Sequence, residues 1–237
     1  MARATDVAPN DPGLESYFRW MEGRRAVMAR AAAEVHLSPG ARVIDVASGD
    51  GALARELTDL CGGELVIHDW SPSELQLGRS VAEPVRGDVR HLPFRTGAAD
   101  LTVAFEIIEH LQPGDVAPFV DELWRITKPR GYLLLSTPNR YGLRSFKGLA
   151  RYLVDGRVWN ANDSTHVTIY SRHALRQVLG RRFTIQRTLG YYLLPEVGSH
   201  ATPWTYTISS NPLLVNLSYK LVVVARPRAE EEPPARG

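Results

Sequence analysis

The sequence has almost no cysteine. Cys61 stands alone among 237 residues, so no internal disulfide can form, and a structural zinc or iron–sulfur centre lacks its cluster of thiolates. An excess of one charge is missing too. Lys and Arg number 28 against 26 Asp and Glu, a formal net charge of +2. That balance argues against a highly charged disordered chain and against a dedicated polyanion binder, so no DNA partner is expected. No run of about eighteen apolar residues occurs, so no membrane span is expected. The opening MARATDVAPNDPG has no apolar h-region, so it does not read as a secretory signal. A cytoplasmic protein is the expectation. What is present is ordinary for a globular chain: 44% apolar and 23% charged residues, in a length that suits one domain with a sizeable core.

Along the chain, residues 1–13 read as a loose tail. Leu14, Phe18, Met21, Val27, Met28 and Ala31 recur roughly at helical spacing and predict an N-terminal cap helix over 14–36. Strand-like runs follow at 41–47, 64–68, 84–86, 100–105 and 132–137, separated by helical stretches at 52–60, from Pro72, and at 118–127. Ser71-Pro72-Ser73-Glu74 has the capping-box spacing with proline at the favoured first helical position. This alternation predicts crossover units and a mostly parallel sheet. The expected fold is a Rossmann-like three-layer α/β sandwich. Its seven-stranded sheet carries one antiparallel strand near the C-terminus, because strands at 183–188 and 217–225 follow one another without a clear helix between them. The cofactor-binding core is expected over 41–137 and a lid over 138–170. The rest of the sheet falls in 171–225, with an insertion at 190–215, before a flexible tail over 226–237.

In open α/β sheets, ligands sit beyond the carboxyl ends of the strands. After the first strand comes Asp45-Val-Ala47-Ser-Gly49-Asp50-Gly51, where glycines let the backbone approach a ligand. Gly49-Asp-Gly51-Ala-Leu-Ala54 fits the dinucleotide fingerprint, with Asp69 about twenty residues further on. However, Asp45 and Asp50 occupy the place of a pyrophosphate. Like charges would repel one another there, whereas an ammonium and a sulfonium would be attracted. The ligand that fits is S-adenosylmethionine, which disfavours an NAD-dependent dehydrogenase. Asp69 is placed to accept from both ribose hydroxyls, Trp70 to face adenine, and Asp88 to accept from the adenine amino group. Each has a bland alternative: Asp69 as a helix cap, Trp70 as core, Asp88 as a turn residue.

These stretches resemble class I S-adenosylmethionine-dependent methyltransferases of the ubiquinone-biosynthesis O-methyltransferase-like, type 11 group, closely over 41–131 and more loosely to Phe183. Val43-Ile-Asp-Val-Ala-Ser-Gly-Asp-Gly51 resembles the first family motif, with Ala47 where a glycine is usual. Ile67-His-Asp69-Trp-Ser-Pro72 resembles the second motif, and Gly87-Asp88-Val89 with Leu92-Pro93-Phe94 the third. The run from Arg125 to Asn139 resembles the family's turn and fifth strand. The resemblance implies that Asp45, Ala47, Gly49, Gly51, Asp69, Trp70, Asp88, Val89 and Glu106 hold the cofactor; Tyr17, on the expected first helix outside the resembling stretch, is the candidate to close over it.

Glu106-Ile-Ile-Glu109-His110 resembles the E-x-x-E-H stretch of ubiquinone-biosynthesis O-methyltransferases and small-RNA 2′-O-methyltransferases, where it can hold a divalent metal. Positions i, i+3 and i+4 share one face of a helical turn, and His166 supplies a fourth ligand. A metal such as Mg²⁺ on Glu106, Glu109, His110 and His166 would acidify an acceptor hydroxyl. In the alternative without metal, Glu106 borders the cofactor and His110 or His166 takes the acceptor proton. Arg140, Arg144, Lys147, Arg151 and Arg157 alternate with aromatic residues in the lid, and 190–214 is rich in Tyr, Leu and Pro. Such a segment lines an apolar pocket or packs on a second copy in a homodimer. The expectation is methylation of a small molecule, at a hydroxyl of a natural product, sugar or lipid-like metabolite. The alternatives are a metal-assisted RNA 2′-O-methyltransferase, which a missing basic domain disfavours, and a methyltransferase-like protein with another activity or none.

Overall fold

The computed structural model describes residues 27, 29–51, 63–80, 82–142, 165–191 and 208–229. Tyr17, the expected helix over 52–60, Cys61, the lid from 143 to 164, the 192–207 part of the insertion and the tail from 230 lie outside them. Seven strands form one sheet: β1 (Arg42–Val46), β2 (Glu64–Asp69), β3 (Glu83–Arg86), β4 (Ala99–Phe105), β5 (Thr127–Pro138), β6 (Phe183–Tyr191) and β7 (Lys220–Pro227). Their order is β3-β2-β1-β4-β5-β7-β6. All neighbours run parallel except β7, which lies antiparallel between β5 and β6. The three-layer α/β architecture with one antiparallel strand is thus the one expected from the sequence.

Near-continuous apolar runs explain why the sheet is covered on both faces. Alternate residues of each strand feed two cores. Ile44, Val66, Leu133 and Val223 pack on one side with Phe119, Leu123 and Leu179. Val43, Ile67, Leu134 and Val222 pack on the other with Val27, Ala31 and Leu75. Burying each such side chain contributes about 1.5–3 kcal/mol. Four helices are described: α1 (Pro72–Gly78), α2 (Pro113–Ile126), α3 (Arg172–Leu179) and α4 (Pro212–Leu217). Ser71 and Ser171 cap α1 and α3, each accepting from a backbone N–H three residues on.

Several boundaries differ from the sequence reading: β5 starts at Thr127 rather than 132 and β6 runs on to Tyr191 rather than 188, and three further differences have a visible local cause. Helix α2 begins at Pro113, five residues before the expected start, because Pro113 itself occupies the first helical position; Pro118 is carried inside the helix. Leu217 does not open the last strand. Asn211 accepts from the Leu213 N–H and Pro212 follows it, so 212–217 winds into α4 between the two late strands. Arg226 and Pro227, expected in the tail, continue β7, where Pro227 pairs with Phe183. Arg228 carries the order further, its N–H donating to the Arg182 carbonyl.

Within β2, His68 is fully buried, and neither ring nitrogen has a hydrogen-bond partner among the described residues. Its ring meets Phe94 edge to face with centroids 5.8 Å apart. Burial pushes the imidazole down to about 4, against the opposing pull of Asp69 and Asp88. The folded state therefore binds fewer protons than the unfolded chain between that value and the ordinary 6.5, so stability is lost as pH falls through this window. From this one group, urea unfolding is expected to show a loss of up to about 3 kcal/mol between pH 7 and pH 4. His68→Phe removes that share of the loss. A variant with an unchanged pH dependence would exonerate His68.

Candidate active site

The strand order reverses between β1 and β4, so the connections leaving these two strands diverge and open a crevice at their carboxyl ends. Each lip of the crevice carries a backbone outlier. Ala47 and Glu106 are the non-glycine residues with positive φ among those described, at 56° and 55°. Such a conformation costs a side-chain-bearing residue about 1–2 kcal/mol, and it is retained where the chain must turn sharply at a site.

The loop after β1 is held from β2. One Asp69 carboxylate oxygen accepts from the Gly49 N–H and the other from the Ser71 N–H, both at 2.9 Å. A single buried side chain thereby fixes the glycine turn and the entry to α1. Each oxygen keeps further lone-pair capacity for a diol. Asp69 is therefore a brace between the two strand ends; the capping role at α1 belongs to Ser71. Gly49 has φ +59°, and a Cβ there would project into open space. Gly78 is tighter. A Cβ on it would lie 3.3 Å from the Asp50 carbonyl and the Gly51 Cα, so a glycine is what lets α1 lie against the turn. Asp45, the last residue but one of β1, is 1% exposed.

Trp70 is 76% exposed, so it is not core. Its carbonyl accepts from the Arg86 side chain. Asp88 is engaged by its own loop. Arg90 donates to it from backbone and side chain, and these bonds hold the carboxyl down at about 2. A ligand amino group would share that carboxylate with Arg90. The loop beyond Asp88 and Val89 is clamped to α2: Arg125 donates to the carbonyls of Leu92 and Phe94, while Glu122 accepts from the Leu92 N–H. Sequence reasoning missed this clamp: Arg125 entered it only as the start of the run to Asn139, and Glu122 not at all.

Beyond β4, a short 3-10 turn over Ile108–His110 sorts two acids. Glu106 accepts from the Ser136 hydroxyl at 2.6 Å and pairs with the ammonium of Lys220. Glu109 is fully buried and accepts from the Thr137 hydroxyl through Oε2, while Oε1 has no hydrogen-bond partner among the described residues. Burial, reinforced by the Glu106 charge, pushes Glu109 up to about 8. Burial and Glu109 also raise Tyr170. The Glu109 carbonyl accepts from the Val167 and Thr168 N–H groups, which draws 165–168 onto the turn. The His110 and His166 rings meet at 4.9 Å, and Nδ1 of His110 bonds the Thr165 hydroxyl at 3.0 Å.

One donor atom each from Glu109, His110 and His166 lies within 4.8 Å of the others. One carboxylate and two imidazoles make a donor set that suits a divalent transition metal. The orphaned Oε1 of Glu109 fits such a ligand. Glu106, expected as a ligand beside Glu109 and His110 with His166 as the fourth, accepts from Ser136 and pairs with Lys220, residues that the sequence offered no reason to connect with it.

A sheet of this order, with a braced glycine turn at its switch point, defines the class I S-adenosylmethionine-dependent methyltransferase fold. Residues 44–135 match the family described as a methyltransferase domain, and the chain is similar to S-adenosylmethionine-dependent methyltransferases. Over 134 residues it is 33% identical to a "probable S-adenosylmethionine-dependent methyltransferase" of Mycolicibacterium smegmatis, covering 54% of this chain and 49% of that protein. It is 33% identical over 113 residues to the ubiquinone/menaquinone biosynthesis C-methyltransferase UbiE of Cupriavidus pinatubonensis, covering 44% and 45% of the two chains. The chain thus spans no more than about half the length of these relatives. Among solved structures, a methyltransferase from Thermotoga maritima aligns with a TM-score of 0.65 at 14% identity, over 90% of this chain and 95% of that one; this likeness concerns the fold alone.

Ala47 stands where glycine is usual and adopts the conformation that glycine takes without strain. Ala47→Gly is therefore expected to raise unfolding stability by about 1 kcal/mol, seen as a higher midpoint in thermal denaturation. A lower midpoint would show that the alanine methyl contributes packing that outweighs the strain.

Proposed function

We propose that the chain transfers the methyl group of S-adenosylmethionine to a small-molecule acceptor. The observation that carries this reading is the braced turn at the β1/β4 crevice. Buried Asp69 braces a glycine loop there, buried Asp45 lies two residues before it in β1, and no basic side chain that would receive a phosphate occurs among the loop residues 47–51. Asp45, Ala47, Gly49 and Gly51 would hold the methionine end, and Asp69 the ribose. Trp70, Asp88 and Val89 would line the adenine, and Glu106 the crevice's far lip. Tyr17, outside the described residues, would close over the ligand. When bound, this donor supplies a sulfonium methyl that is already strongly electrophilic, so the chain's task is alignment and proton removal.

The acceptor side is the Glu109–His110–His166 cluster. His110 or His166 would accept the proton of an acceptor hydroxyl, in the manner of a general base. A divalent metal on Glu109, His110 and His166 would lower that hydroxyl's pKa. An oxygen acceptor on a natural product, sugar or lipid-like metabolite is the reading this cluster favours. Transfer to carbon is the second reading, supported by the likeness to UbiE.

Calorimetry is expected to show binding of S-adenosylmethionine and none of NAD. Asp69→Ala should weaken that binding about tenfold or more, since it removes a charged acceptor from the ribose and the brace from the turn. Labelled S-adenosylmethionine, incubated with metabolite extracts and followed by mass spectrometry, identifies the acceptor atom. Absence of donor binding would overturn the proposal.

For the metal, protein treated with a chelator is expected to lose both a bound divalent ion and turnover, and His166→Ala should not regain the ion. Full turnover in metal-free protein would assign the proton transfer to the histidines alone.

A further inference from the structure

Lys220 opens β7, and the antiparallel course of that strand sets it opposite Pro138, beyond the carboxyl ends of the parallel strands. It is buried, with its ammonium on the Glu106 carboxylate. Ser136, which donates to the other oxygen of Glu106, is displaced by two positions from Pro138 along β5, so it shares the sheet face of Lys220. On the opposite flank Lys220 pairs with Tyr191 of β6. Lysine is rarely so enclosed, and a buried ion pair stabilises little beyond the desolvation it costs. The fold therefore supplies no reason for the pair, whereas the crevice does.

Without Lys220, Glu106 would add a net negative charge to a crevice that already holds Asp45 and Asp69. Methyl transfer breaks the sulfur–methyl bond and leaves the electron pair on sulfur. The donor is thus a sulfonium cation and the product a neutral thioether, so charge on the crevice wall acts differently on the two. We propose that Lys220 is a positioning residue which fixes the Glu106 carboxylate and cancels its charge, thereby setting how strongly the site prefers the cationic donor over the neutral product. An uncancelled carboxylate would favour the donor. The cancelled pair keeps the preference moderate. This inference rests on S-adenosylmethionine being the donor.

Calorimetry on the full chain at pH 8, with S-adenosylmethionine and S-adenosylhomocysteine as separate titrants, tests it. Lys220→Met is expected to shift the ratio of the two affinities toward S-adenosylmethionine by about tenfold, the scale of a unit charge nearby at a partly screened site. Lys220→Arg should leave the ratio unchanged. The double variant Glu106→Gln with Lys220→Met should return it to the wild-type value. Should Lys220→Met fail to fold, Glu106→Gln alone leaves the cation and must shift the ratio the other way. If the variants weaken both ligands equally, Lys220 is only structural and the inference falls, while the donor reading stands. If the wild type binds neither ligand, the donor reading itself falls.

Discussion

The chain lays down β1, β2 and β3 outward from the centre, then crosses back to place β4 on the other side of β1. Everything at the site depends on that reversal. Parallel strands carry their connections on the faces of the sheet, so only where two neighbours send them in opposite directions is there room for a ligand at the strand ends. The reversal puts Ala47 and Glu106 on facing lips, and both accept an unfavourable backbone conformation there. The strain is local, and the two buried cores on either face of the sheet are large enough to impose it.

Much of this architecture is legible in the sequence because it rests on local signals. Short, mostly apolar runs mark the strands (Val43 to Val46, Leu65 to Ile67), and Ser71 and Ser171 announce their helices through hydroxyls that reach only three residues along. The errors fall where two local signals compete. The apolar run Leu213–Val215 reads as well for a strand approach as for a helix, until the Asn211 side chain and Pro212 decide it. Pro118 looks like a helix start when Pro113 has already served as one.

The candidate site was legible only in part. Asp45, Asp69 and the glycine turn are marked by their positions at or just after the carboxyl ends of strands. The partition of Glu106 and Glu109 is not, because it depends on Ser136, Thr137 and Lys220, which lie about 30 to 110 residues away along the chain. Ser136 and Thr137 are adjacent in β5 and so face opposite sides of the sheet, each claiming one acid. A motif of spacing alone treats the two glutamates as equivalent ligands. The sheet makes one the counter-ion of a lysine and keeps the other buried beside two histidines. The small total charge of the chain likewise says nothing of this sorting.

The antiparallel last strand has a consequence for how the protein is made. Pro138 pairs with Lys220 across about 80 residues of intervening chain, and such long-range contacts are slow to form because their loop entropy must be met first. A nascent chain can assemble the braced turn at the β1/β4 crevice long before it is finished, since every residue of that turn has by then left the ribosome. The lysine that balances the far lip arrives only with the final strand. Until then Glu106 lacks the Lys220 ammonium that the finished fold sets against it.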